Sequence, residues 1–468
     1  LTARAIAALS GATTLEGDGD RVVTGVSTDT RTLRSGELFV ALAGPRFDGH
    51  LFAENALASG AGALLVSRPV AASAGVPVIR VSDTLAALGR LAAAYRDRFD
   101  IRAVAVTGSV GKTTTKDVLA QVLSGSFRTV SSRRSFNNSV GVPLTLLSIE
   151  NDTQAAVVEL GASARGEIAA LAALVRPDVG IITAVREAHL AGFGTLEEVR
   201  RAKGELLGAL EDGTAVLNAD DPSTPQLAGS FSGKVVTFGQ TPEADVRVLR
   251  VVEGEAGLVF RIRAGGRQLE GRIGLAGRHQ IGAVAAALAA ARELGVDLEE
   301  AVGRLAGFES AAGRLRRVPA GPVLLYDDSY NASPASVREA IAFLSRRAGD
   351  RRGVLVLGDM LDLGEHSERL HLEIGRELAG RAVAVVVAVG RYAGLLAVEA
   401  RRRSGDRIHV LPVPDSIEAA RVAARIVEPG DCVLVKGSRG VALEKVVEAI
   451  HRLFRKEERT LRLETAMS

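Results

Sequence analysis

The chain contains the run TGSVGKTT at residues 107–114, flanked by the apolar stretch IRAVAV before it and the helix-forming stretch KTTTKDVLAQVL after it. A glycine-rich turn between a strand and a helix aims several backbone N–H groups at one point, and the helix N-terminus adds partial positive charge. The backbone of Gly108, Ser109, Val110 and Gly111 would form the cradle. Lys112 would reach the β- and γ-phosphates of a nucleotide, and the hydroxyl of Thr113, next to Thr114, would ligate Mg²⁺. The strict GxxxxGK[ST] pattern places glycine at 106, where this chain has Val106. A plain βα turn with a surface lysine is the bland alternative, and strand, turn, GKTT and helix in succession speak against it.

Three further residues carry chemistry. Glu159 ends the apolar run AAVVE, so its carboxylate faces the phosphate crevice and can hold a metal, or else it starts a helix. His189 follows the run DVGIITAV by a few residues; alone it reads equally well as a satisfied loop histidine. Thr195 and Glu198 have capping-box spacing, and Leu196, Val199, Leu206, Leu207 and Leu210 recur at helical spacing. Lys203 lies in that helix, where a solvated lysine is the ordinary reading. Glu159, His189 and Lys203 together in the phosphate-loop segment are harder to dismiss. His366 and His371, five apart with no HExxH, read as surface residues. Cys432, the only cysteine, excludes an intramolecular disulfide and reads as a small buried hydrophobe in DCVLVKG.

These residues need elements to position them. The 468 residues suffice for about three domains. Residues 1–98 mix short strands with alanine-rich helices, and YRDRFDIR (95–102) reads as a linker. Residues 99–312 and 313–455 each alternate strand and helix in the βαβ manner, which predicts an α/β fold of mostly parallel sheets covered on both faces. The first of these is the P-loop-type central domain and the second a Rossmann-like domain; 456–468 is a frayed tail. Ligands in such sheets bind beyond the carboxyl ends of the strands, where the polar residues named above stand. The 58 basic and 55 acidic residues are interspersed and aromatics are only 4%, which argues against a nucleic-acid stripe or stacking platform. No apolar run reaches the ~18 residues that span a bilayer. A cytoplasmic, monomeric enzyme with no nucleic-acid or membrane partner is expected.

At this point the residues resemble the Mur ligases, ATP-dependent enzymes that form amide bonds in peptidoglycan synthesis. The likeness runs along nearly the whole chain, through STDTRTLRSGELFVALAGPRFDGH, TGSVGKTTTKD, FNNSVGVPLTLL, ELGASARGEIAAL, AHLAGFGTLEEVRRAKGE, NADDP, GRHQIGAVAAA, DDSYNASPAS, VLGDMLDLGEHS and VKGSRG. FNNSVGVPLTLL and SYNASPAS are most specific to the member that joins D-alanyl-D-alanine to UDP-N-acetylmuramoyl-tripeptide. The DNPR-type motif of the diaminopimelate-adding relative is not found.

The resemblance implies ATP and two Mg²⁺ ions, with Lys112 on the phosphates, Thr113 on the first metal, and Glu159 and His189 placing metal near the γ-phosphate. Lys203 matches a lysine that family members carry as a carbamate, an anion able to hold the second Mg²⁺. Asn137 and Asn138 match a loop on the substrate and metal side, and Thr30, Arg31, Asp48 and His50 match segments holding the UDP-sugar. His279 and Gln280 fall on the adenine side, and Arg314, Asp328, Tyr330 and Asn331 in groups that close over ATP. The chain departs from the family at Val110, Val185, Gln280 and Gly282, where asparagine is usual, and at Ala191, where an acid is usual. Two rival expectations stand beside this one: another amide ligase of the same architecture, such as a folylpolyglutamate-type enzyme, and a nucleotide-binding module that has lost catalysis.

Overall fold

The computed structural model describes residues 1–467 apart from 45–46, 72–74 and 406, with side chains described as far as 455. Three sheets follow one another along the chain. The first holds β1 (Thr14–Glu16), β2 (Val26–Ser27), β3 (Leu38–Val40), β4 (Ala63–Val66) and β5 (Val78–Arg80) in the order β1-β5-β4-β3-β2, with β1 antiparallel to β5 and the rest parallel. Arg96, the last residue of the helix Thr84–Arg96, ties this unit to the next. Its buried guanidinium donates to the carbonyls of Phe99 (2.7 Å), Ile101 (3.3 Å) and Val175 (3.3 Å).

The central sheet has nine strands: β6 (Arg102–Thr107), β7 (Thr129–Ser131), β8 (Ala155–Glu159), β9 (Val179–Ile182), β10 (Thr214–Asn218), β11 (Lys234–Gly239), β12 (Val246–Gly254), β13 (Gly257–Ala264) and β14 (Arg267–Ile273). Their order is β14-β13-β12-β11-β10-β9-β6-β8-β7. Strands β6 to β12 are parallel, and the apolar residues of β6, β8, β9 and β10 are buried on both faces, as a sheet covered by helices requires, whereas Leu249 and Val252 of β12 are exposed. The parallel alternation stops at β12. β13 and β14 fold back as antiparallel hairpins, with Gly265 (φ +56°) and Gly266 (φ +79°) supplying the two positive φ values of a tight two-residue turn. The helix Lys112–Leu123 packs on the alanine-rich helix Ile281–Glu293, whose Ala283 to Ala291 are all buried; small side chains permit the close approach.

The third sheet holds β15 (Arg316–Val318), β16 (Leu324–Asp328), β17 (Gly353–Gly358), β18 (Val385–Val389), β19 (His409–Val413) and β20 (Cys432–Lys436) in the order β15-β16-β20-β17-β18-β19. Only β15 is antiparallel. Cys432 is buried in β20, as its apolar run suggested. The α/β expectation therefore stands, with the β12–β14 meander as the part not foreseen.

Four local expectations are corrected. His371 is buried, not a surface residue: its Nε2 accepts from Met360 N (3.0 Å), and its Nδ1 lies 2.6 Å from Ser367 O. Thr195 caps its helix by accepting from Glu198 N (3.2 Å), but the Glu198 side chain pairs with Arg201 instead of completing a box. Leu196 is exposed, because that helix ends at Gly204 and turns Val199, Ala202 and Lys203 inward. The last helix, Glu444–Met467, carries its backbone through the segment read as a frayed tail; the side chains of 456–468 lie outside the described residues.

Candidate active site

Two sheets present their carboxyl ends to one cleft of about 1100 Å³. In the central sheet β6 lies between β8 and β9, so the chain leaves β6 to one side and returns on the other, which opens a crevice at that switch point. The phosphate loop follows β6, Glu159 ends β8, and Thr183 follows β9. In the third sheet Asp328 ends β16 and Lys436 ends β20, side by side, and both line the same cleft.

The loop geometry depends on its glycines. Gly108 has φ +141°, and a Cβ there would fall 2.1 Å from Thr183 Oγ1. Gly111, at φ +83°, caps the helix Lys112–Leu123. Thr183 Oγ1 donates to Val110 O (2.6 Å), and Ser109 N donates to Ala184 O (2.7 Å), so the loop is pinned to the β9 exit through its backbone. Val110 thus takes part through main-chain atoms, which its side chain does not disturb. Lys112 Nζ folds onto Gly108 O (2.7 Å) and Ser109 O (3.4 Å). Burial lowers its ammonium's affinity for a proton, with Glu159 opposing.

Glu159 organises the centre. Its Oε2 accepts from Thr113 Oγ1 (2.8 Å) and its Oε1 from Asn137 Nδ2 (2.7 Å), while its own N–H donates to Ser132 Oγ (3.0 Å). Asn138 spends its carbonyl on capping the helix Gly141–Leu146 through Gly141 N (2.9 Å). Arg314, just after Gly313 in the connection to the third sheet, donates to Thr113 Oγ1 (3.0 Å) and Ser135 Oγ (3.3 Å) and stacks on the Tyr330 ring at 4.1 Å. Gln280 accepts from Thr114 Oγ1 (3.3 Å) and donates to Ala276 O (2.6 Å). Asp328 Oδ2 accepts from Lys436 Nζ (2.7 Å), and Lys436 also donates to Asn331 O (3.0 Å). Burial pushes the Asp328 carboxyl upward against the pull of Lys436.

Lys203 is buried, with its Nζ 5.4 Å from the centre of the Phe193 ring and no hydrogen bond or ion pair among the described residues. Burial, and then the charge of Lys112, bring it down to about 7. His189 stands nearby at φ +52°; burial, Lys112 and Lys203 all lower its ring, which favours neutral imidazole.

The expected residues divide by position. Ser109 to Thr114, Asn137, Asn138, Glu159, His189, His279, Gln280, Arg314, Asp328, Tyr330 and Asn331 all line the cleft. Gly108 shapes the loop and Lys203 lies beneath the wall. Thr30, Arg31, Asp48 and His50 stand apart in the first unit. There Arg31 pairs with Asp29 (2.6 Å), and the buried His50 spends Nδ1 on Asp48 (2.7 Å) and Nε2 on Ser67 N (2.9 Å). Lys436, the last residue of β20, and Asp362, shortly after β17, line the cleft without having been among the expected residues.

The donor set suits Mg²⁺. Among the described residues no three His, Cys, Asp or Glu side chains gather into an all-protein metal cage. Mg²⁺ is commonly held by one or two carboxylates plus substrate phosphates and water, and the hard oxygens of Thr113 and Glu159, 2.8 Å apart, meet that need.

A phosphate loop and a pair of hard oxygens on Thr113 and Glu159, facing a third α/β sheet across one cleft, fit a three-domain nucleotide-dependent ligase. Family models for the Mur ligase family catalytic domain, the Mur ligase middle domain and the Mur ligase glutamate ligase domain match residues 22–96, 106–291 and 313–439. The UDP-N-acetylmuramoyl-tripeptide–D-alanyl-D-alanine ligase of Bacillus subtilis is 37% identical over 432 residues, covering 91% of this chain and 93% of its own. A crystal structure of MurF from Acinetobacter baumannii superposes with a TM-score of 0.86 at 31% identity, covering 96% of this chain and 98% of its own. The Thermotoga maritima MurF ligase in complex with ADP gives 0.80 at 29%, covering 94% and 99%. The chain belongs to the Mur ligase family.

Proposed function

We propose that this chain joins D-alanyl-D-alanine to UDP-N-acetylmuramoyl-tripeptide at the expense of ATP, giving the pentapeptide precursor of peptidoglycan in the cytoplasm. The observation that carries the reading is the convergence of Lys112, Thr113, Glu159, His189 and Arg314 on one cleft, in a chain aligned over 91% of its length with a relative named for that activity. The tripeptide's terminal carboxylate is a poor electrophile. Its attack on the γ-phosphorus displaces ADP and makes an acyl phosphate; the dipeptide amine then attacks the acyl carbon, forming the amide and releasing phosphate. Lys112 and Arg314 supply positive charge where the transferring phosphoryl group becomes more negative. Thr113 and Glu159 would hold Mg²⁺, which would supply further charge neutralisation. Asn137 keeps Glu159 oriented, and Arg314 links the loop to the third sheet, so closure of that sheet over the cleft excludes water from the acyl phosphate.

Residues 1–98 hold the UDP-sugar end, 99–312 the nucleotide, and 313–455 close over ATP and admit the dipeptide. Lys203, unpaired and only half protonated at neutral pH, is suited to take up CO₂ as a carbamate. That change turns a cation into an anion able to hold a second Mg²⁺.

The test is phosphate release from Mg-ATP with purified UDP-N-acetylmuramoyl-tripeptide, with and without D-alanyl-D-alanine. Release that requires all three substrates, with a pentapeptide product by mass, is expected. Nucleotide binding without turnover on this or any related acceptor would point instead to a decayed module.

A further inference from the structure

The loop after β17 crosses to the central domain and docks beside His189. Asp362 O accepts from Ala191 N (3.1 Å), His366 Nε2 lies 3.2 Å from Gly194 O, and a Cβ on Gly364 would sit 3.1 Å from Ala191 Cα. The docking sets two non-glycine residues in left-handed conformation against each other, Asp362 at φ +63° and His189 at φ +52°. Such backbone costs energy and survives where the surroundings hold it, as they do at functional sites. The docked loop brings the Asp362 carboxylate to 3.8 Å from His189 Nδ1, while leaving its side chain 72% exposed on the cleft wall.

The cleft is otherwise built for anions, with Lys112, Arg186, Arg314 and Lys436 on its wall. A protonated amine entering it meets like charge unless a carboxylate with free lone pairs receives it. Most carboxylates on the wall already hold donors, Glu167 through Oε2 alone. Glu159 holds Thr113 and Asn137, Glu167 accepts from Ser163 N (2.7 Å) and Ala164 N (3.2 Å), and Asp328 holds Lys436. Glu339 faces His279, whose charged neighbours are Lys436 and Arg346 on the third sheet's side. Asp362 faces His189, whose other charged neighbours are Lys112, Lys203 and Glu167, at the phosphoryl-transfer end.

We propose that Asp362, exposed on the docked β17 loop opposite His189, is the residue that binds the ammonium group of the incoming amine substrate. This rests on the ligase reading above. The carboxylate supplies a charge-assisted hydrogen bond that holds the amine at the reacting end of the cleft. The amine subsite is built from two domains, since the loop of the third meets His189 and Ala191 of the central one.

Asp362→Asn keeps a residue that tolerates left-handed backbone and removes the charge; Asp362→Glu restores the charge. Steady-state kinetics are measured for each substrate, together with single-turnover ADP formation from ATP and tripeptide alone. For Asp362→Asn, KM for D-alanyl-D-alanine is expected to rise at least about tenfold. KM for ATP and for tripeptide should stay within about twofold, and the dipeptide-independent ADP burst should be unchanged. Asp362→Glu is expected to recover much of the dipeptide KM. An unchanged dipeptide KM, or an equal fall in the ADP burst, would overturn the assignment; the second result would make Asp362 a positioning residue for His189. Absence of dipeptide-dependent turnover in the unaltered enzyme would overturn the ligase reading and this inference with it.

Discussion

Lys203 offers the sharpest perturbation, because burial changes its chemistry and its contribution to stability together. An ordinary lysine is protonated at pH 7 in all but about 1 part in 3,000. With its affinity lowered from 10.5 to about 7, half the amines are neutral, roughly 1,600-fold more of the form that reacts with CO₂. Phosphate release should therefore depend on bicarbonate: initial rates in CO₂-depleted buffer should fall several-fold and recover on adding bicarbonate. Lys203→Met should be inactive under both conditions, and a carbonyl resonance from ¹³C-bicarbonate seen in the parent protein should be missing from it. Stability gives an independent reading. A folded-state value below the unfolded one means that the unfolded chain binds more protons between about pH 7 and 10.5, so this group's contribution to stability rises with pH across that window. The uncarbamylated lysine costs about 4 kcal/mol at pH 7 relative to pH 10.5. In CO₂-free buffer Lys203→Met should resist urea better than the parent at pH 7, and the gap should close toward pH 10. A gap independent of pH, together with rates indifferent to bicarbonate, would refute the reasoning.

Lys112→Met should lower ATP-dependent phosphate release by about 10²–10³-fold with the fold intact by circular dichroism, because it removes charge from the transferring phosphoryl group. Gly108→Ala, whose Cβ would fall 2.1 Å from Thr183 Oγ1 at φ +141°, should abolish ADP binding measured by titration calorimetry. Arg96→Met leaves three carbonyls short of a donor, two of them buried, and should cost about 2–4 kcal/mol in urea unfolding, without changing which substrates are used.

Much of the site could be read from the sequence because phosphate chemistry leaves local marks. The loop at 107–114 and Glu159 lie within a few residues of strand ends, and in parallel sheets those ends converge whatever the rest of the fold does. Lys203 was legible in part: Val199, Lys203 and Leu207 are spaced by four, so the lysine lies on the buried stripe, and all three are buried in the structure. The β12–β14 meander also had its signal, since LVFRIRA alternates and Gly-Gly precedes RQLEGRI, but the strong βαβ pattern around it dominated. Asp362 and His371 were not legible as they stand. Asp362 gains its meaning from a contact with His189 across two domains, and His371 from folding back onto Met360. Neither contact follows from the spacing of nearby residues.

In the proposed reaction the cleft moves phosphorus from ATP to a carboxylate before the amide forms. Tripeptide substrate carrying ¹⁸O in its terminal carboxylate tests this directly. After turnover with ATP and D-alanyl-D-alanine, the account predicts one ¹⁸O in the released inorganic phosphate and one in the new amide carbonyl. Pentapeptide formed with no ¹⁸O in the phosphate would contradict it.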